Sequence, residues 1–213
     1  MSIEAFERLS EKKQAAILGA GVKEFSHKTY TEASTDAITI QSNISKGLLF
    51  HYFGSKRAFY LYCLDTALKR LTAGTTPPAG ESFYALLFSA LDEKFRLCRE
   101  YADETRLVNM ASRDACAEIQ DEKSAVFARY AQVISSGSSE VLARGMALLR
   151  LKAPGDPAVA AALRLYINAL LNRYLIQYRE CPDLFFQMAD TIKAELKRDI
   201  DFMLYGVCRE DLK

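Results

Sequence analysis

The sequence predicts an all-α protein, and three observations carry that prediction. Half of the residues are hydrophobic, while only 10 Gly and 5 Pro interrupt 213 positions, so long helices meet few breakers. Apolar residues recur at helical spacing along most of the chain. Runs of alternating Val, Ile and Thr bounded by turn residues, the mark of strands, are hard to find. A chain of this length can bury a real core as one large domain or two small ones.

The elements follow in order. Ser10 caps a first helix with Glu11 in its opening turn; Ile17, Ala20, Gly21 and Phe25 lie on one face, flanked by Leu18 and Val22. His27 to Tyr30 form a loop. Ser34 or Thr35 caps a second, short helix, with Asp36 in the first turn where the dipole favours a carboxylate. Ile38 faces inward. Ser42-Asn43 makes a turn, because Asn is the non-glycine residue that best tolerates a left-handed backbone. Ser45 caps a third helix that begins Lys46-Gly47 and carries Leu49, Tyr52 and Phe53, and Gly54-Ser55 stops it and caps the next.

Two short helices around so tight a turn predict a helix-turn-helix, whose second helix enters the DNA major groove. The charge agrees. No Asp or Glu occurs between Asp36 and Asp65, whereas Lys46, Lys56 and Arg57 all fall in that interval. A phosphate backbone repels carboxylates there and rewards each cation by counterion release. The plainer alternative is a polar helical hairpin with no ligand. The start of the third helix, Ser45 to His51, faces the groove in this reading, with Lys46, Leu48 and His51 most exposed and Gly47 allowing close approach. Thr35, Tyr52 and Lys56 are placed for phosphates, near helix N-termini that attract anions.

After Ser55 a longer helix runs through Leu61, Leu64, Leu68 and Leu71 and ends in the Gly/Pro/Thr stretch 74–80. Ser82 opens a helix with Phe83, Leu86, Leu87, Leu91, Phe95 and Leu97, ending near Tyr101. A shorter segment carries Leu107, Val108 and Met110. A longer one spans about 117–151, interrupted at 135–139 by Ser-Ser-Gly-Ser-Ser as a kink or a break. Asp156 then caps a helix with Pro157 at its first position. That helix is apolar over most of its circumference: Val159, Leu163, Tyr166, Leu170, Tyr174 and Tyr178 form one stripe, and Leu165, Ala169 and Ile176 populate another. It should be buried on two sides. A last helix places Phe185, Ala189, Ile192, Leu196, Ile200 and Met203 on one face.

Several function classes recede. Net charge is only +1, so any DNA-binding charge is local rather than global. The five cysteines are scattered without a C-x-x-C pair and only two histidines exist, so neither a disulfide framework nor a metal site is indicated, and no cofactor. Phosphate-loop, dinucleotide, nucleophile-elbow and zinc-protease motifs are missing, so no catalytic residue is assigned and the chain is not expected to be an enzyme. No apolar run approaches the ~18 residues of a membrane span and the N-terminus lacks a signal pattern, so the expected location is cytoplasmic, away from membranes.

Ser34-Thr35, Ile38-Thr39, Ser42-Asn43-Ile44-Ser45, Gly47, Leu49-Phe50-His51-Tyr52-Phe53 and Lys56 together resemble the signature of the tetracycline-repressor (TetR) family of regulators. Phe25 and Tyr30 also stand where that family has aromatics. Asn43 replaces the usual turn glycine, and Phe50 replaces a tyrosine whose hydroxyl often touches phosphate. The resemblance covers about the first quarter of the chain. It implies a helix-turn-helix DNA-binding domain over 1–54 and a larger helical ligand-binding and dimerisation domain over 55–213.

It further implies a repressor that leaves double-stranded operator DNA when a small, largely apolar effector binds, and a homodimer formed by the two C-terminal helices. The alternative is an all-helical small-molecule-binding or interaction module without specific DNA binding. Phe83, Phe88, Phe95, Tyr101, Phe127, Tyr130, Tyr166 and Tyr174 are more aromatics than a minimal core needs and are candidates for the effector pocket, Phe83, Phe95, Tyr101, Phe127, Tyr130 and Tyr166 foremost, and ordinary core residues otherwise. Asn168 and Asn172, one turn apart, are either polar anchors for the effector or partners across the dimer.

Overall fold

The computed structural model describes residues 3–73, 79–150, 156–178 and 182–206. Most of the expected 74–80 turn, residues 153–155 of the boundary before Pro157, and Cys181 and Cys208 lie outside the described residues. The N-terminal part comprises α1 (Ile3–Glu7), α2 (Glu11–His27), α3 (Thr35–Ser42), α4 (Lys46–Phe53) and α5 (Lys56–Thr72). Then come α6 (Phe83–Glu100), α7 (Ala102–Arg113), a 3-10 turn at Ala117–Ile119, α8 (Gln120–Met146), α9 (Pro157–Gln177), α10 (Pro182–Gln187) and α11 (Ala189–Tyr205). All regular structure among the described residues is helical.

Packing divides the chain into two units. The first joins Met1–Gly74 to Glu100–Ile134, and the second joins Thr75–Arg99 to Ser135–Lys213. A division at residue 54 follows the motif; packing instead groups α5 and α7 with α2. The core of the first unit gathers Phe6, Ile17, Phe25, Ile38, Leu49, Phe53, Phe59, Tyr60, Leu64 and Leu107. Gly21 lets α2 press on α5, since a Cβ there would stand 2.5 Å from Phe59 Cζ and 2.8 Å from Cys63 Sγ. Sequence reading expects nothing helical before Ser10, yet α1 is present. Its anchor is Phe6, fully buried, with its ring 4.9 Å from Phe53 and 5.7 Å from Tyr62.

The second unit is centred on Phe83, Leu87, Leu163, Ile167, Leu170, Tyr174, Ile192, Leu196 and Ile200. Between α9 and α11, Tyr174 donates to Glu195 at 2.7 Å, and Arg173 pairs with Asp199 at 3.0 Å. Three expectations need revision. Helix α8 is a single helix through 135–139, one of the two alternatives the sequence leaves open there, but it stops at Met146 rather than near 151. The expected last helix is two, because the chain turns at Met188 between α10 and α11. Within this one chain α9 is buried on one side only: Leu163 and Ile167 are covered, but Leu165 and Ile176 are each 73% exposed.

Candidate nucleic-acid interface

Each boundary of the α3–turn–α4 unit is set by one local residue. Ser34 rather than Thr35 caps α3, its hydroxyl accepting from Ala37 N–H at 3.3 Å. Asn43 ends it with φ 55° and ψ 46°, the left-handed conformation its short polar side chain tolerates. There the N–H groups of Asn43 and Ile44 donate to Ile40 and Thr39 carbonyls at 3.3 and 3.1 Å, satisfying the helix end. Ser45 caps α4 by accepting from Leu48 N–H at 3.1 Å, and Ser55 caps α5 by accepting from Ala58 N–H at 3.1 Å. Gly54, at φ 77°, takes a backbone conformation that L side chains rarely adopt and so ends α4 cleanly.

Helix α4 is thereby split into two faces. Leu49, Tyr52 and Phe53 are buried, whereas Ser45, Lys46, Gly47, Leu48 and His51 are exposed together. Tyr52, expected at a phosphate, is 8% exposed with its ring 5.9 Å from that of Phe6. Thr35 is half-buried at the start of α3. The Lys46 ammonium stands 2.9 Å from the Asp36 carboxylate, joining the first turns of α4 and α3. Gly47 has no packing reason to be glycine: a Cβ there would meet only Ser45 Oγ, at 3.9 Å.

A second cluster borders this face, and sequence reading did not find it. The Tyr30 N–H donates to Asp114 Oδ2 at 2.7 Å, and the Tyr30 hydroxyl donates to Glu118 Oε1 at 2.6 Å. Lys56 is half-buried, with its ammonium 4.8 Å above the Tyr30 ring and 3.3 Å from the Thr31 carbonyl. Burial lowers its pKa from the ordinary lysine value, against the nearby Glu118 carboxylate. Arg57 donates to the Glu118 carbonyl at 3.4 Å and pairs with Glu122 at 3.5 Å. The buried Lys123 holds the Asp114 carbonyl from behind. The loop before α3 is thus fastened to the loop between α7 and α8.

The pocket candidates are not gathered in one unit. Tyr101, Phe127 and Tyr130 belong to the first, and Phe83, Phe95 and Tyr166 to the second. Asn168 and Asn172 are exposed, on the same side of α9 as Leu165 and Ile176. A groove of about 600 Å³ in the second unit is lined by Ala79, Ala85, Phe88, Ser89, Asp92, Glu93 and Arg96, of which Phe88 is one of the aromatics the sequence offers for a pocket. Burial pushes the Cys63 thiol far up, so it is an inert core group.

Residues 17–63 match the family described as bacterial regulatory proteins, tetR family. This match covers 47 of the 213 residues and likens the N-terminal segment to that family. The fold of the chain resembles that of TetR-family transcriptional regulators along almost its whole length. A TetR-family regulator from Chloroflexus aurantiacus J-10-FL superposes with TM-score 0.56 at 23% identity, covering 97% of this chain and 98% of that one. One from Streptomyces coelicolor reaches TM-score 0.62 at 17% identity, covering 95% and 92%. NalD of Pseudomonas aeruginosa, the secondary repressor of the MexAB-OprM multidrug efflux pump, reaches 0.53 at 19% identity, covering 89% and 95%. Comparison with curated proteins gives no match. Among the described residues, no helix is long and apolar enough to cross a membrane.

Proposed function

We propose that this chain is a homodimeric DNA-binding transcriptional regulator, a repressor released from its operator by a small, largely apolar molecule. One observation carries the DNA-binding part: Gly47 stands exposed in the first turn of α4 with open space where a Cβ would be. Glycine in a helix interior costs roughly 0.5–1 kcal/mol relative to alanine and less in the first turn, where Gly47 stands, and no packing in the protein calls for it. Gly19 and Gly137 are equally open, so it is position that sets Gly47 apart: it stands in the first turn of α4, just after the α3–α4 turn, where a surface approaching the helix backbone closely would use it. The wall of a major groove is such a surface, and Lys46, Leu48 and His51 surround the approach.

One short recognition helix reads only a few base pairs, so useful affinity requires a second copy on the same face of the duplex. The exposed side of α9, with Leu165, Ala169 and Ile176 apolar and Asn168 and Asn172 polar, supports a two-fold interface. The part of α11 bearing Phe202 and Tyr205, 49% and 76% exposed, supports it too. The repressor role is supported by a neighbour such as NalD, a repressor of an efflux pump, and release by a ligand rests on the family resemblance alone. The test is a gel shift with the duplex upstream of the gene, repeated across salt concentrations. Specific binding that weakens steeply with salt is expected; failure to bind would favour an all-helical module that does not use DNA.

A further inference from the structure

We propose that Asp36 is a specificity-determining residue of the DNA-binding face, acting by holding the Lys46 ammonium in reserve for guanine. This rests on the DNA-binding reading above and adds to it which residue restrains which. The Asp36 carboxylate has no capping duty, because the Ser34 hydroxyl already accepts from the first turn of α3. It pairs instead with Lys46 at 2.9 Å, across the turn, with side chains 65% and 50% exposed. An ion pair so open to water adds little to stability. Asp36 is also the one carboxylate between Ala33 and Leu64, in a stretch whose remaining charges suit a polyanion. Asp36 modestly favours the start of α3 through the helix dipole, but a carboxylate on this face also costs DNA affinity, and discrimination is the use that sets against that cost.

The chemistry follows from the donor count. An ammonium carries three N–H donors. Paired with Asp36, Lys46 presents no net charge, so it gains little from displacing counterions along any phosphate backbone. At a guanine it keeps one donor on Asp36 and gives another to O6 or N7, the major-groove acceptors that mark that base. Phosphates are everywhere on the duplex and guanine O6/N7 is not. The pair therefore trades general affinity for preference at one position.

The experiment uses the full chain and two labelled duplexes of equal length: one enriched from a random library by the wild-type protein, and one of random sequence. Affinities are measured across salt concentrations. Asp36→Asn frees Lys46 for phosphate; it should tighten binding to the random duplex about fivefold to tenfold at 0.1 M salt and steepen its salt slope by about one per bound subunit. The selected duplex should gain much less, and preference for guanine at one position should fall. The double variant Asp36→Asn/Lys46→Met removes a neutral pair. It should leave random-duplex binding nearly unchanged and weaken the selected duplex about tenfold or more. Equal tightening on both duplexes by Asp36→Asn, which simple repulsion would give, overturns the proposal, as does no change on either. Wild-type protein that binds neither duplex in a salt-dependent way would instead remove the DNA-binding reading itself.

Discussion

At the scale of single residues, Gly47 and Gly21 are opposite cases of the same residue type. Gly21 is required by the neighbouring helix, so Gly21→Ala should destabilise the fold by about 1–3 kcal/mol through overpacking against Phe59 and Cys63. Gly47 is not required by the fold. Gly47→Ala should leave stability unchanged or raise it by up to about 0.5 kcal/mol, because the position lies in the first turn, while weakening DNA binding. Parallel denaturation and DNA titrations check both, and a Gly47→Ala variant that binds DNA as well as wild type would remove the close approach. Lys56→Ala should weaken binding to all sequences alike and flatten the salt slope by about one. Its half-buried seat over Tyr30 means the same variant also loosens the loop before α3.

Glu24 adds a pH dependence. Burial alone would raise its pKa, but hydrogen bonds from the Lys28 ammonium and the Ser34 N–H, each at 2.8 Å, hold it below the ordinary value. A carboxylate depressed on folding stabilises the fold above its unfolded pKa, and that contribution is lost as pH falls through the folded value. Glu24→Gln should therefore be less stable than wild type at neutral pH, with the gap closing from about pH 4.3 downward. A gap independent of pH would assign the effect to packing.

At the scale of elements, the contact between the loop before α3 and the loop after α7 is the feature with most consequence. Tyr30→Phe keeps the ring under Lys56 but removes the hydroxyl that bonds Glu118, and should cost about 1–2 kcal/mol of stability. Wild-type stability in that variant would mean water replaces the bond without loss. These elements also show what a sequence discloses. The α3–turn–α4 unit was legible because its boundaries are local: Ser45, Ser55 and Asn43 act on backbone groups within four residues. Tyr30 meets Asp114 and Glu118 across 84 and 88 residues, and no periodicity announces that. Helix α1 was hidden because five residues show no period, and burial of Phe6 decides it. The 135–139 run reads as a breaker by composition, yet helical context carries α8 through it.

At the scale of the whole molecule, α9 is apolar over most of its circumference, and within the chain only one side of it is buried. Leu170, on the main apolar stripe of α9, is 7% exposed and belongs to the core of the second unit, so a charge there tests the fold and not a dimer. Leu165 and Ile176 are the proper probes. Leu165→Asp should turn a dimer into a folded monomer at micromolar concentration by light scattering, with little loss of helix content. An effector that releases the operator must bind more weakly in its presence, by the same factor that it weakens DNA binding. Equal effector affinities with and without DNA would show that the two sites are not coupled.

The most direct measurement is the affinity of the full-length chain for its own upstream duplex, followed over a range of salt concentrations beside a scrambled duplex of equal length and composition. If α4 reads DNA as part of a dimer, binding to the upstream duplex is tight, log Kd rises linearly and steeply with log salt, and the scrambled duplex binds far more weakly. Equal affinity for the two duplexes, or binding indifferent to salt, would contradict it.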